Sequence, residues 1–261
     1  VPGKTLNNGV VMPQLGYGTW SIAAERADWA VESAITTGFR SIDTATNYSN
    51  EAGVGDDIIA SGVPRDQLFV TTKLWIEDFG HDEALRAFDR SMADLKLDYL
   101  DLYLLHWPVP GEFDRTIAAY KAVEQLHAQG RIRAIGVSNF NPNHLDRLMT
   151  EATILPAVNQ IEINPHMTQT ADRAENARRG IATESWSPLG SHRNVGRILA
   201  NPAIVAIASA HEKSPAQVAI RWQLQHDLII IPRSTNPAHM AENIDVFDFE
   251  LTPWRWRRSI R

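Results

Sequence analysis

The sequence predicts an α/β fold: a (β/α)8 barrel entered through a small β-hairpin. Two observations carry this prediction. Eight short apolar runs with strand character alternate with helix-like segments along the 261 residues, and an open doubly wound sheet usually holds fewer strands than that. Apolar residues, 44% of the chain, are spread evenly with no linker, low-complexity segment or internal repeat of 20–50 residues, which favours one domain spanning 1–261.

The elements follow in order. Residues 4–12 alternate around Asn7-Asn8-Gly9, where Asn and Gly tolerate the positive φ of a hairpin turn, so a hairpin occupies 1–13. A short strand at 14–20 contains Gly16 and Gly18, glycines that suggest a closely approached backbone. Ala27, Ala30, Val31, Ala34 and Ile35 recur at helical spacing, and Gly38 supplies a left-handed stop. Strand 39–43, a helix at 51–60, strand 68–72 and a helix carrying Leu85, Phe88, Met92 and Leu95 come next. Strand 99–105, a helix at 114–128 closed by Gly130, strand 132–137, a helix from Pro142 and strand 157–161 continue the alternation. A polar helix at 170–179 ends at Gly180, and strand 181–186 leads into a long segment. Ser214-Pro-Ala-Gln217 combines a cap, an N1 proline and a capping-box partner. Strand 228–231 is the eighth, and Asn236-Pro237 starts a last helix.

A formal net charge of −6 leaves no general basic footprint, which argues against nucleic acid or an anionic membrane as partner and for a small molecule. The absence of cysteine removes disulfides, thiolate metal sites and thiol nucleophiles and is compatible with a reducing cytoplasm. Val1-Pro-Gly-Lys-Thr-Leu6 lacks the pattern of a secretory signal, and no apolar run reaches membrane length. A soluble, cytoplasmic monomer is expected.

Reacting groups in such barrels sit where strands end. Polar residues at those positions are Asp43, Lys73, His106, Ser138, Asn139 and Gln160, with Trp186 beside them and Tyr48 five residues after Asp43. A lysine in a half-buried mouth needs an anion, which Asp43 can supply. The same cation would favour the Tyr48 phenolate and lower its pKa toward neutrality, while His106 adds a neutral donor. Together they protonate an oxygen while something else attacks its carbon. Taken singly, Asp43 and Lys73 also read as a structural ion pair, Tyr48 as a packed ring and His106 as a core histidine. Two other classes share these residues: a Schiff-base lyase with Lys73 as nucleophile, and a cofactor-binding regulatory barrel with little turnover.

Seven words in order carry a family resemblance: Gly-Phe-Arg-Ser-Ile-Asp43-Thr-Ala-Thr-Asn-Tyr48, Thr-Thr-Lys73-Leu-Trp75, Asp-Leu-Tyr-Leu-Leu-His106-Trp107-Pro, Gly-Val-Ser138-Asn139-Phe, Ala-Val-Asn-Gln160-Ile-Glu, Ser-Trp186-Ser187-Pro188-Leu189-Gly190 and Ile-Pro-Arg233-Ser234. The chain resembles the aldo-keto reductase family up to about Leu251. Within it the Glu-Ser-Trp186 word is most like that of bacterial 2,5-diketo-D-gluconate reductases. The resemblance implies NADPH-dependent reduction of small polar aldehydes or ketones, keto-sugars among them, without a metal. It implies Tyr48 as general acid, Lys73 as the modulator of its pKa, Asp43 as the partner of Lys73 and His106 as orienter of the carbonyl. Ser138, Asn139 and Gln160 would hold the carboxamide and Trp186 would stack on the nicotinamide. Ser187, Pro188, Leu189 and Gly190 would continue the cofactor site, with Arg233, Ser234, Thr235, His239, Glu242 and Asn243 at the adenosine end. Tyr17, Trp20, Trp75 and Trp107 would wall the substrate cavity.

Three departures qualify the resemblance. Arg233 stands where relatives carry Lys, and a guanidinium grips a 2′-phosphate equally well. His239 stands where the family usually has Arg, so NADPH stays favoured but NADH is accepted better than in Arg-bearing relatives. The tail Trp254-Arg-Trp-Arg-Arg-Ser-Ile-Arg261 holds four arginines and two tryptophans in no amphipathic pattern. It reads either as a shifted frame that removed a substrate-contacting loop, leaving a more open pocket, or as a short tail for an acidic surface. His192, Arg193 and Arg197 read as decoration of a solvated loop, with no assigned role beyond a contact from a cofactor loop.

Overall fold

The computed structural model describes residues 1–191 and 194–252, except for the side chains of 24–28. His192, Arg193, the tail from 254 and the side chain of Ala27 lie outside the described residues. Strands β1 (Gly3–Thr5) and β2 (Val11–Pro13) pair antiparallel as the expected hairpin, and Gly9 takes a positive φ of 86° at its turn.

Eight parallel strands follow. They are β3 (Tyr17–Gly18), β4 (Ser41–Asp43), β5 (Phe69–Leu74), β6 (Leu100–Leu105), β7 (Ile132–Ser138), β8 (Val158–Glu162), β9 (Ala182–Trp186) and β10 (Ile229–Ile230), each bonded to its sequence neighbour. The two edges meet: Gly16 N–H donates to Ile230 O at 2.8 Å, Ile230 N–H to Gln14 O at 2.9 Å and Gly18 N–H to Pro232 O at 3.1 Å. These bonds close the sheet into the barrel that the strand count predicts. A Cβ on Gly18 would lie 3.0 Å from Ile231 O, so any side chain there would crowd the closure.

The connecting helices are α1 (Ala24–Thr37), α2 (Glu51–Ala60), α3 (His81–Leu95), α4 (Phe113–Ala128), α5 (Pro142–Met149), α6 (Thr170–Arg178), α7 (Val195–Leu199), α8 (Pro202–Ala210), α9 (Pro215–Gln225) and α10 (Pro237–Ile244). Gly38, at φ 119°, ends α1 by donating to Ala34 O and Ile35 O. Ser214 and Gln217 form the capping box of α9, and Asn236 caps α10 ahead of Pro237. The long segment after β9 holds two helices that the alternation did not predict, α7 and α8. Helix α8 is apolar except for Ser209, with no polar stripe to betray its period, yet Asn201 caps it ahead of Pro202.

Two apolar regions result. One lies between sheet and helices and includes Phe39, Val70, Phe88, Tyr103, Ile135 and Ile220. The other includes Phe69, Leu102, Leu104, Ala134, Val158 and Ile229 from the strands, packed with Leu6 and Met12 of the hairpin. The hairpin therefore seals the end of the barrel interior where the strands begin, and the strand ends stay free for polar groups. Among the described residues no helix is long and apolar enough to cross a membrane.

Candidate active site

The strand ends converge on a cavity of about 420 Å³. Asp43 ends β4 and Lys73 lies near the end of β5, with their side chains inside the sheet. Lys73 Nζ donates to Asp43 Oδ1 at 2.5 Å, to Thr44 O at 2.9 Å and to Tyr48 Oη at 3.2 Å. Three donors thus meet three acceptors, the condition for burying an ammonium. Burial alone would lower the Lys73 pKa, but attraction to Asp43 and Tyr48 pushes it up to about 12. Lys73 is a fixed cation beside the phenol.

Tyr48 ends a 3-10 turn, Thr46–Tyr48, directly after β4. Polar contacts that draw in Glu51 and Ser91, two residues outside the family words, hold this turn. Thr46 Oγ1 donates to Lys73 O at 3.0 Å and lies 3.3 Å from Ser91 Oγ, while buried Glu51 accepts from Thr72 Oγ1 at 2.6 Å and Ser91 Oγ at 3.2 Å. Burial raises the Tyr48 pKa, and the opposing pull of Lys73 does not overcome it. The expectation that Lys73 would bring the phenol toward neutrality is thereby corrected: desolvation of a phenolate outweighs one cation already shared with Asp43. Tyr48 stays protonated through neutral pH, the state an acid needs.

His106, after β6, packs edge-on against Tyr48 (ring centroids 5.6 Å apart) and Trp75 (5.1 Å). Burial first, and then Lys73, lowers its pKa to about 3. Its Nδ1 is buried without a partner among the described residues, and an unpaired lone pair there costs less than an unpaired N–H. The proton is therefore assigned to Nε2, making His106 a neutral donor. The reduction rate should consequently show no acid limb near the ordinary imidazole value of about 6.5. Protonation would begin only as pH falls toward the lowered value. A pH series from about 5 to 8 checks this; a limb near 6.5 that disappears on substituting His106 would contradict it.

Ser138, Asn139, Gln160 and Trp186 are linked to one another. Ser138 Oγ donates to Gln160 O at 2.9 Å, Asn139 Nδ2 to His106 O and Ser138 Oγ, each at 3.0 Å, and Trp186 Nε1 to Asn139 Oδ1 at 3.0 Å. Asn139 holds a φ of +63° in doing so, a conformation that Asn tolerates better than most residues. The Trp186 ring is anchored by its edge and lines the cavity, along with Ser187, Pro188, Leu189, Gly190 and Arg233. Gln160 Nε2 donates to both Asp43 Oδ2 and Glu184 Oε2 at 2.8 Å. Among the described residues no group of His, Asp and Glu is arranged to hold a metal.

The aromatic residues divide. Trp75 and Trp107 line the cavity with Trp20, and Trp20 and Trp107 are half-exposed at 50% and 43%, which puts them at its rim. Tyr17 does not line the cavity: its ring is buried, packs on Phe39 and donates its hydroxyl to Ser234 O. Successive strand residues point to opposite faces, and Gly18 holds the inward position in β3. Ser234 and Asn243 are buried, Thr235 is half-buried, and His239 and Glu242 are exposed on α10. Arg233 bridges to the loop after β3 through Trp20 O and Ser21 O. Glu51 and Glu184 carried no sequence-based expectation. Glu184 lies two residues before Trp186, on the same strand face, and that spacing was its signal.

The aldo/keto reductase family pattern matches residues 14–259. The chain is similar to an aldo-keto reductase of Mycolicibacterium smegmatis (52% identical, covering 96% of this chain and 90% of that protein), to morphine 6-dehydrogenase of Pseudomonas putida (50%; 96% and 88%) and to glyoxal reductase of Bacillus subtilis (47%; 95% and 87%). A variant of Gox0644 solved in complex with NADPH superposes with a TM-score of 0.92 at 41% identity, covering 98% of this chain and 91% of that one. A buried Lys–Asp pair touching a cavity tyrosine, on a barrel matched along nearly its whole length, leads to one statement of identity: this chain belongs to the aldo/keto reductase family and is an oxidoreductase.

Proposed function

We propose that the protein reduces aldehydes and ketones to alcohols with NADPH, with Tyr48 as the proton donor. The contact that carries this reading is Lys73 Nζ lying within hydrogen-bond reach of both Asp43 and the Tyr48 hydroxyl. NADPH would supply a hydride to the carbonyl carbon. Tyr48 Oη would give its proton to the carbonyl oxygen, and His106 Nε2 would orient that oxygen. Lys73 and Asp43 keep the phenol fixed and would steady the charge left on it. Ser138, Asn139 and Gln160 offer polar atoms for the carboxamide, and the anchored Trp186 ring offers a face for the nicotinamide. Lys73 is unsuited to Schiff-base chemistry, because an amine held protonated up to about 12 with its donors spent is no nucleophile.

A cavity of about 420 Å³ that must admit the nicotinamide as well as the substrate favours small carbonyl compounds. Small polar aldehydes and keto-sugars such as 2,5-diketo-D-gluconate are the proposed class, and the glyoxal reductase relative is consistent with it. The enzyme is proposed to act as a monomer of one domain, 1–261, in the cytoplasm. A carbonyl panel followed by NADPH absorbance tests the function; no oxidation of NADPH with any small aldehyde would contradict it.

At the adenosine end, Arg233 is half-buried and His239 is exposed on α10. An imidazole lacks the fork of donors with which a guanidinium holds a phosphate, so NADPH is proposed as the favoured cofactor with measurable use of NADH. His239→Arg should raise the NADPH-over-NADH ratio of kcat/KM by about tenfold, the worth of one added charge-assisted bond. An unchanged ratio would place the 2′-phosphate elsewhere.

A further inference from the structure

Glu184 is wholly buried in the middle of β9 and lies beside Gln160 in the strand register. Its Oε2 accepts one N–H of the Gln160 amide at 2.8 Å, and Asp43 Oδ2 accepts the other at 2.8 Å. An amide oxygen facing Asp43 Oδ2 would set two acceptors against each other, so the nitrogen belongs there. Gln160 lines the cavity, and with both N–H groups turned to carboxyl oxygens its carbonyl oxygen is the atom left to the cavity.

We infer that Glu184 is a positioning residue: with Asp43 it locks the Gln160 side chain so that an acceptor, not a donor, faces the cofactor's carboxamide. Freed of Glu184, the amide would keep one of its two anchors and could rotate, at the cost of one hydrogen bond. The inference rests on the proposed role of Gln160 in cofactor binding.

The charged groups around Glu184 are Asp43 on β4 and Lys73 on β5, with the Gln160 amide on β8. Burial first, and then the Asp43 carboxylate, pushes the Glu184 pKa up to about 8. Both effects favour its neutral acid form, in which Lys73 does not face two anions. Oε2 is the accepting oxygen, so the proton of the neutral acid falls to Oε1. A glutamine copies that neutral group in size and keeps its acceptor oxygen, whereas a methionine fills the space and accepts almost nothing.

The test measures NADPH affinity of the folded proteins by energy transfer from tryptophan, alongside the thermal midpoint. Glu184→Met should raise the NADPH Kd about tenfold, the worth of one hydrogen bond in a buried network, with kcat at saturating cofactor changed far less. Glu184→Gln should stay within about twofold of the unaltered protein, because the acceptor is retained. A purely structural residue would lower the thermal midpoint without moving the Kd. Glu184→Met binding NADPH normally while Gln160→Met binds it weakly would overturn the inference and leave Gln160's role intact. Equal weakening by Glu184→Gln and Glu184→Met would also overturn it. Normal binding by Gln160→Met would remove the reading of Gln160, and the inference with it.

Discussion

Tyr48→Phe should reduce carbonyl turnover by about 10²–10⁴-fold, the contribution of a positioned general acid, while NADPH still binds. Among the described residues the phenol is the one cavity hydroxyl bonded to the buried cation, with Lys73 Nζ 3.2 Å from its oxygen and His106 packed against its ring. Phenylalanine keeps the ring and its packing, so only the proton and one hydrogen bond are lost. Lys73 retains Asp43 and Thr44 O as acceptors, so the fold should lose no more than about 1 kcal/mol. Loss of activity with unchanged NADPH affinity and thermal midpoint is the expected pattern. Retained activity would remove Tyr48 from the chemistry.

Lys73→Met should have the largest combined effect. The lysine side chain is fully buried and that of Asp43 is 3% exposed, so removing the ammonium leaves a carboxylate in the barrel interior with only the Gln160 bond. Breaking such a pair costs about 3–5 kcal/mol, readable in denaturant titration. Turnover should fall by at least about 10²-fold, because the phenol loses the cation that steadies its anion. Adding Asp43→Asn to Lys73→Met removes the stranded charge. The double variant should recover most of the stability and none of the activity. Recovery of both would mean that the pair is structural alone.

Much of the barrel was legible because parallel strands buried between helices leave apolar runs of strand length, and their helices end on Gly38, Gly130 and Gly180. Helix α2 spans the expected 51–60, and β6 and β7 differ from their expected spans by one residue each. Strand β4 starts later than expected because Phe39 N–H donates back to Ala34 O in the helix cap and does not join the ladder. Tyr17 could not be placed from sequence. In a two-residue strand the phase of the side chains is set by its bonds to β4 and Ile230, not by pattern.

The site divides along the same line. Asp43, Tyr48, Lys73 and His106 could be selected because they are polar groups at or just beyond strand ends. Their protonation states could not, since these depend on how far burial outweighs Lys73, which for Tyr48 reversed the expected direction. Glu184 is the sharper case. Its spacing from Trp186 gives the strand face, but only the register sets it beside Gln160 in the barrel interior.

The most direct measurement follows the hydrogen. Reduction of a small aldehyde with NADPH deuterated at the transferable C4 position should place one deuterium on the carbinol carbon of the product, by mass spectrometry. With unlabelled NADPH in deuterated water, that carbon should carry none, because in the proposed reaction solvent hydrogen would arrive only at oxygen, through Tyr48. Solvent deuterium on the carbinol carbon, or product without label from the deuterated cofactor, would contradict hydride transfer at this site.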